Sequence, residues 1–364
     1  MTAPLGRIVP ELRNTRGIRR PSHISLDNGR SLCFPVSIPT RECHGRAARS
    51  GSTAHTNLVR ALLTLMLAGA LAFAFLETPA ASGRTASVPP RAKARSLFPR
   101  FKGAVPVLLY HRIGPSGSYT VAPGTFDAEM QRLHDLGFQA ITLDQYVRFV
   151  RGDAVDLPER PILITFDDGY ASAWDNADPV LARYGWSAAM YIPTAAVGTP
   201  AHLTWEQLRQ MQSSGRWQID EHAGDGHVLV TADAAGRRLP FYAAELWSDG
   251  RKETFAHYKE RVSGDIKHGL AMLAQNLPGW TSHGSFAVPF NNYGQNGSND
   301  PQIEPWLSGF LKAQFTVLFV QRDDGFTTPD PGFANRITVS SKWSADDLEA
   351  NLVQGLDALA RRRR

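Results

Sequence analysis

Between residues 105 and 360, short runs of β-branched and aromatic residues alternate with stretches whose apolar positions recur every three or four residues. The runs predict strands over residues 105–110, 140–143, 162–166, 188–192, 217–220, 285–289 and 315–320. The helical period predicts helices over residues 125–136, 143–151, 173–184, 204–213, 252–276, 305–313 and 344–360. The run at 162–166 (ILITF) has no polar residue but Thr165, as expected of a parallel strand buried on both faces. Alternating β and α units over about 250 residues, with no linker and no repeat of about 20–50 residues, favour a single α/β barrel.

Upstream the pattern is different. Residues 61–76 (ALLTLMLAGALAFAFL) are an uncharged apolar run between Arg60 and Glu77. The run is longer than most signal-peptide cores and slightly short for a spanning helix. Residues 1–60 carry 10 arginines against 3 acids, an excess that keeps the N-terminus cytoplasmic and sends everything after Glu77 outside. Residues 57–77 therefore read as a transmembrane signal anchor or a signal peptide, with Ala80-Ala81-Ser82 as a small-residue cleavage point. A buried core helix is the alternative. Residues 1–56 read as a disordered basic cytoplasmic segment, and 78–103 as a Pro/Ala/Ser/Arg linker. A folded domain over 104–360 and a basic tail at 361–364 complete the division. The expected location is membrane-anchored with the domain outside the cytoplasm, or secreted if the signal is cleaved.

Charge and cysteine content narrow the chemistry. The net charge of +5 conceals 19 basic against 30 acidic residues over 103–360, so the domain carries no basic excess for nucleic acid, which is excluded as a partner. Both cysteines, Cys33 and Cys43, precede the domain, so a metal there must be held by His and carboxylate.

The predicted strand at 162–166 runs into Asp167-Asp168-Gly169-Tyr170. Adjacent carboxylates at the C-terminal end of a buried parallel strand sit where barrel enzymes place their active sites, and Gly169 permits a sharp turn. Two like charges held close are costly unless a cation or a proton is shared, which argues for a metal; a solvated acidic turn capping the next helix is the other reading. His222 and His227 follow the predicted strand at 217–220, with Gly224 and Gly226 between them to bend the loop. Two His and one Asp with an open fourth position suit catalytic zinc, and a pair of surface-loop histidines is the bland alternative. His111 follows the first strand and is a candidate general acid. All five residues fall at ends of predicted parallel strands, hence on one rim.

Thr165-Phe166-Asp167-Asp168-Gly169-Tyr170 resembles the first motif of the polysaccharide deacetylase family (carbohydrate esterase family 4, the NodB homology domain). The resemblance implies a distorted, incomplete (β/α) barrel, with Asp167 as catalytic base and Asp168, His222 and His227 as metal ligands. The cofactor implied is a divalent metal, Zn2+ or alternatively Co2+ or Ni2+. The histidine spacing of five, where most members have four, together with Tyr110-His111, resembles the branch that deacetylates poly-β-1,6-N-acetylglucosamine, a biofilm exopolysaccharide. In that branch the early histidine acts as acid, a role that falls to His111. The stretch Phe286-Ala287-Val288-Pro289-Phe290 is similar to the third motif, with Ala287 in place of the arginine that orients the base and Phe290 in place of a tyrosine. Pro289 and Phe290 are then the candidates for substrate and oxyanion contacts. The late leucine-x-histidine motif is replaced by Arg336-Ile337-Thr338-Val339.

The function implied is metal-dependent N-deacetylation of an extracellular N-acetylglucosamine polymer. A chitin or peptidoglycan deacetylase, or a catalytically silent carbohydrate-binding protein on the same fold, are the alternatives. The partners implied are the polysaccharide, the membrane through the N-terminal helix, and exopolysaccharide synthesis machinery.

Overall fold

A computed structural model describes residues 103–321, 325–328 and 332–362. The apolar run at 61–76, with the basic segment before it and the linker after it up to residue 102, lies outside the described residues, as do the last two residues. Among the described residues no helix is long and apolar enough to cross a membrane.

Seven parallel strands close into a ring: β1 (Val105–Tyr110), β2 (Pro161–Phe166), β3 (Ala188–Pro193), β4 (Trp217–Ala223), β5 (Ser285–Ala287), β6 (Val317–Gln321) and β7 (Phe333–Thr338). Spatial order follows chain order, and closure comes from β1 pairing with both β2 (Leu108 opposite Ile164) and β7 (Leu108 opposite Ile337). The ring is one strand short of an eight-stranded barrel and is uneven. Six residue pairs join β3 to β4, but a single pair, Glu221 opposite Phe286, joins β4 to β5. This is the distorted, incomplete (β/α) barrel expected.

Side-chain alternation sorts the strands into two layers. Val107, Leu163, Ala189, Tyr191, Ala287, Phe319 and Ala334 share one buried cluster inside the ring. Leu108, Ile162, Ile164, Phe166, Met190 and Ile219 point outward into a second cluster that reaches the surrounding helices. At the strand ends the inward set is polar: Thr165 is followed two residues on by Asp167, Asp220 by His222, and the apolar Ala334 by Arg336.

The principal helices are α1 (Pro123–Asp135), α2 (Leu143–Arg151), α3 (Asp178–Tyr184), α4 (Trp205–Ser213), α5 (Phe255–Asn276), α6 (Ile303–Gln314) and α7 (Ala345–Arg362). Helix α2 matches its predicted bounds because both ends are written locally. Thr142 accepts the Gln145 N–H while the Gln145 carboxamide accepts the Thr142 N–H, and Gly152 takes the left-handed conformation (φ 78°) beyond the last turn.

Four expectations are corrected. The strand predicted at 140–143 is only Gln139–Ala140, an edge outside the ring, because Thr142 caps a helix. Phe333–Thr338 enters the ring instead, although Asn335 and Arg336 break its apolar pattern. The helix predicted at 173–184 is a π-turn (Ala173–Ala177) followed by α3, because Pro179 has no N–H to continue the ladder. Helix α7 continues to Arg362, two residues into the run of arginines expected as a tail.

Candidate active site

Asp167 leaves β2 on its inward face, its N–H donating to the Tyr110 carbonyl at 3.0 Å. The next two residues both adopt left-handed backbone conformations, Asp168 at φ 71° and Gly169 at φ 71°. Aspartate is among the few residues that tolerate this region, and the turn sends the two carboxylates to different partners.

The Asp167 carboxylate is 1% exposed and is gripped over β1 by Arg336 of β7. Nη1 lies 2.7 Å from Oδ1 and Nη2 lies 2.7 Å from Oδ2, a planar two-point contact; Nη1 also reaches the Thr165 hydroxyl at 3.3 Å. Burial alone would disfavour the ionised carboxylate, but Arg336, aided by His222, holds Asp167 below its ordinary range.

Asp168 faces the two histidines. Its Oδ1 lies 3.5 Å from His222 Nε2 and 3.4 Å from His227 Nε2, and the three donor atoms all fall within 4.8 Å of one another. His222 is buried, and its Nδ1 lies 2.7 Å from the Ala287 carbonyl. That carbonyl can only accept, so Nδ1 carries a proton and Nε2 is the nitrogen that faces Asp168. The residue standing where the third motif has its arginine thus acts through its backbone, orienting a histidine. Burial works against ionisation of Asp168, but the His222 hydrogen bond and charge hold its pKa well below the usual carboxylate range. Burial pushes His227 down to about 4, leaving its ring neutral. One carboxylate and two imidazole nitrogens converging on one point fit a tetrahedral divalent cation with an open position. Bound there, such a cation supplies Lewis-acid polarisation and a more acidic water.

The remaining expected residues border the same space. His111, Asp167, Asp168, His222, His227 and Phe290 line one cavity of about 230 Å3, together with Tyr119 and Gln321. Burial lowers the His111 pKa. Pro289 is buried beneath the rim, while Phe290 is 42% exposed and stacks on His227 at 4.6 Å with a 12° interplanar angle. Phe290 and Asn291 hold φ of 54° and 52°, a strained turn secured by the Asn291 carboxamide, which donates to the Gln321 carbonyl and accepts its N–H, both at 2.8 Å. The Phe290 N–H donates to no described residue.

The sequence reading missed Arg336, Tyr119 and Gln321. Arg336 carried a usable signal, since a lone arginine inside a strand-like run needs a buried acid. Tyr119, 63% exposed and 5.1 Å from the His111 ring, had none.

Residues 154–290 match the family model for polysaccharide deacetylases. The chain is 32% identical over 208 residues to the poly-β-1,6-N-acetyl-D-glucosamine N-deacetylase of Staphylococcus epidermidis, covering 55% of this chain and 62% of that protein. It is 31% identical over 150 residues to the Escherichia coli (strain K12) protein of the same name, covering 36% and 22%. It thus spans less than two thirds of these relatives. The solved structure of a de-N-acetylase from Aggregatibacter actinomycetemcomitans superposes with a TM-score of 0.60 at 20% identity, covering 68% of this chain and all of that one. Residues 154–290 are thus similar to the polysaccharide deacetylases, hydrolases that act on amide bonds, on a barrel whose fold is that of a solved de-N-acetylase.

Proposed function

We propose that this protein is a metal-dependent N-deacetylase that hydrolyses acetamide groups of an extracellular N-acetylglucosamine polymer, with the β-1,6-linked polymer as its substrate. The observation that carries the reading is the division of labour between Asp167 and Asp168. One carboxylate is held ionised by Arg336 and the other joins His222 and His227 at a metal-type donor set, side by side in one cavity.

Hydrolysis of an acetamide needs a deprotonated water, a stabilised oxyanion and a proton for the leaving amine. Asp167 accepts the proton of the attacking water, and Arg336 fixes which way its lone pairs point. The unengaged Phe290 N–H is a donor for the developing oxyanion. His111 delivers the proton to the amine, and its depressed pKa makes the protonated ring a stronger acid. Asp168, His222 and His227 hold the divalent cation, for which Zn2+ suits the nitrogen-rich set and Co2+ or Ni2+ are alternatives.

The reading as a silent carbohydrate-binding protein rests on Ala287 replacing an arginine and on the absence of the late leucine-x-histidine motif. Arg336 supplies a guanidinium to Asp167 from β7, which favours turnover. The β-1,6 assignment rests on the histidine spacing and on the names of the relatives. We further propose that the domain works outside the cytoplasm, anchored or released through residues 57–77, beside exopolysaccharide synthesis machinery.

The test is acetate release by the metal-loaded protein on matched β-1,6- and β-1,4-linked N-acetylglucosamine oligomers. Preference for the β-1,6 series is expected. Preference for β-1,4 moves the protein to chitin or peptidoglycan deacetylation, and glycan binding with no release from either series overturns the enzymatic reading.

A further inference from the structure

The rings of His222 and His227 stand 4.8 Å apart, yet the two residues are held in different ways. His222 belongs to β4, and the Ala287 carbonyl anchors its Nδ1. His227 lies beyond the strand, and its side chain is 27% exposed against 3% for His222. A spacing of five matches neither the strand nor the helix period, so the loop at 224–226 must set where the second ring stands.

That loop is shaped around one carboxylate from another element. Asp265, buried on the inner face of α5, accepts the Asp225 N–H at 2.6 Å on Oδ1 and the Gly224 N–H at 3.1 Å on Oδ2. Two successive backbone donors thus converge on it, an arrangement that suits a carboxylate. The Tyr242 hydroxyl donates to the same Oδ2 at 2.5 Å. The chain that leaves His227 returns at Phe241–Ala243, where Arg261 of α5 donates to the Phe241 carbonyl at 3.2 Å. Both ends of that excursion are therefore tied to one helix.

The glycines let the carboxylate come this close. A Cβ added at Gly224 would stand 2.6 Å from the Asp265 carbonyl oxygen and 2.9 Å from Oδ1, and one at Gly226 would stand 2.7 Å from Oδ2. One turn along α5, Gly269 packs on the strand itself, since a Cβ there would overlap Glu221 Oε1 and stand 3.0 Å from the Gly224 nitrogen. The helix thus presses on Glu221 and on Gly224, before and after His222.

We propose that Asp265 is a positioning residue for the metal centre: it clamps the backbone between the two histidines and so fixes where His227 stands relative to His222. The inference rests on the metal-dependent function proposed above. Donors held in advance need not be ordered when a cation arrives, so affinity depends on a side chain that ligates nothing.

The test titrates Zn2+ into the metal-free full chain against a competing chelator, for the wild type, Asp265→Ala, Asp265→Asn and Val262→Ala. Asp265→Ala is expected to raise the Zn2+ Kd about 10- to 100-fold. Asp265→Asn keeps the shape and one accepting oxygen, and is expected to fall between Asp265→Ala and the wild type. Val262 is buried in the apolar cluster on the same helix, so Val262→Ala removes packing but no hydrogen bond to the loop. It is expected to lower the urea midpoint while leaving the Kd within about twofold. An unchanged Kd in Asp265→Ala, or an equal loss in Val262→Ala, overturns the positioning role. If Asp265→Ala does not fold, Asp265→Asn decides: a raised Kd supports the role and a wild-type Kd overturns it. A wild type that binds Zn2+ but releases no acetate defeats the enzymatic reading and leaves these comparisons to decide the role of Asp265. A wild type that binds no divalent cation removes the metal reading and this inference with it.

Discussion

Arg336 and Asp167, separated by 169 positions in the chain, meet over β1 from its two flanking strands through two contacts of 2.7 Å. The family pattern places an orienting arginine on the strand that here carries Ala287, and this barrel brings the guanidinium from β7. Because both groups are buried, the pair's value lies in direction: the carboxylate cannot rotate away from the cavity.

Removing that constraint is expected to separate metal binding from turnover. Arg336→Lys keeps a positive charge but loses the planar two-point contact, so kcat should fall about 10- to 100-fold with the bound metal retained. Arg336→Ala leaves Asp167 buried without its partner and should cost about 3–5 kcal/mol of stability. Acetate release, metal content and urea unfolding on the same preparations check this, and full activity in Arg336→Lys refutes the positioning role.

Two histidines should behave oppositely. His222→Gln removes a donor that Ala287 holds in place, so metal content and activity should fall together. His111→Gln lies outside the donor set, so metal content should hold while kcat drops about 100-fold or more, the usual worth of a general acid. Chelation should abolish wild-type activity and divalent cation restore it. Metal loss in His111→Gln contradicts the assignment.

Glu129 provides a pH prediction remote from the site. It is buried, accepts the Tyr110 hydroxyl at 2.9 Å on one oxygen, and has no partner among the described residues on the other. Burial pushes it up to about 7 from an ordinary 4.5. Between those values the folded chain keeps a proton that the unfolded chain has released, so Glu129 makes stability fall as pH rises from 4.5 to about 7 and adds no slope above. Glu129→Gln should remove that component and exceed wild-type stability at pH 8 by about 1–3 kcal/mol, with little difference near pH 4. Urea midpoints at the two pH values test it; equal midpoints at pH 8 count against it.

Gly169→Ala probes the turn that aims Asp168. The position has φ 71°, and an added Cβ lies 3.0 Å from Ile192 Cδ1. The substitution should cost about 1–2 kcal/mol and weaken metal binding through its neighbour. Shortening Ile192 to Val alongside it should recover only the contact component. Wild-type stability in Gly169→Ala removes the argument from backbone conformation.

Much of the molecule is legible along the chain because its causes are local. Helix α2 begins and ends where Thr142 and Gly152 dictate, and an apolar run such as ILITF is buried on both faces wherever it is placed. The Asp167-Asp168-Gly169 turn and the two glycines beside His222 likewise announce themselves, since special backbone geometry needs special residues nearby. The tertiary structure decided what depends on closing a ring. Only closure sets β7 beside β1, turns Arg336 inward at the height of Asp167, and brings the Ala287 carbonyl to His222 from 65 positions away. Periodicity records which face of a strand is buried; which strand stands opposite is chosen by the packing of the whole barrel, and the partner of Asp167 is written there.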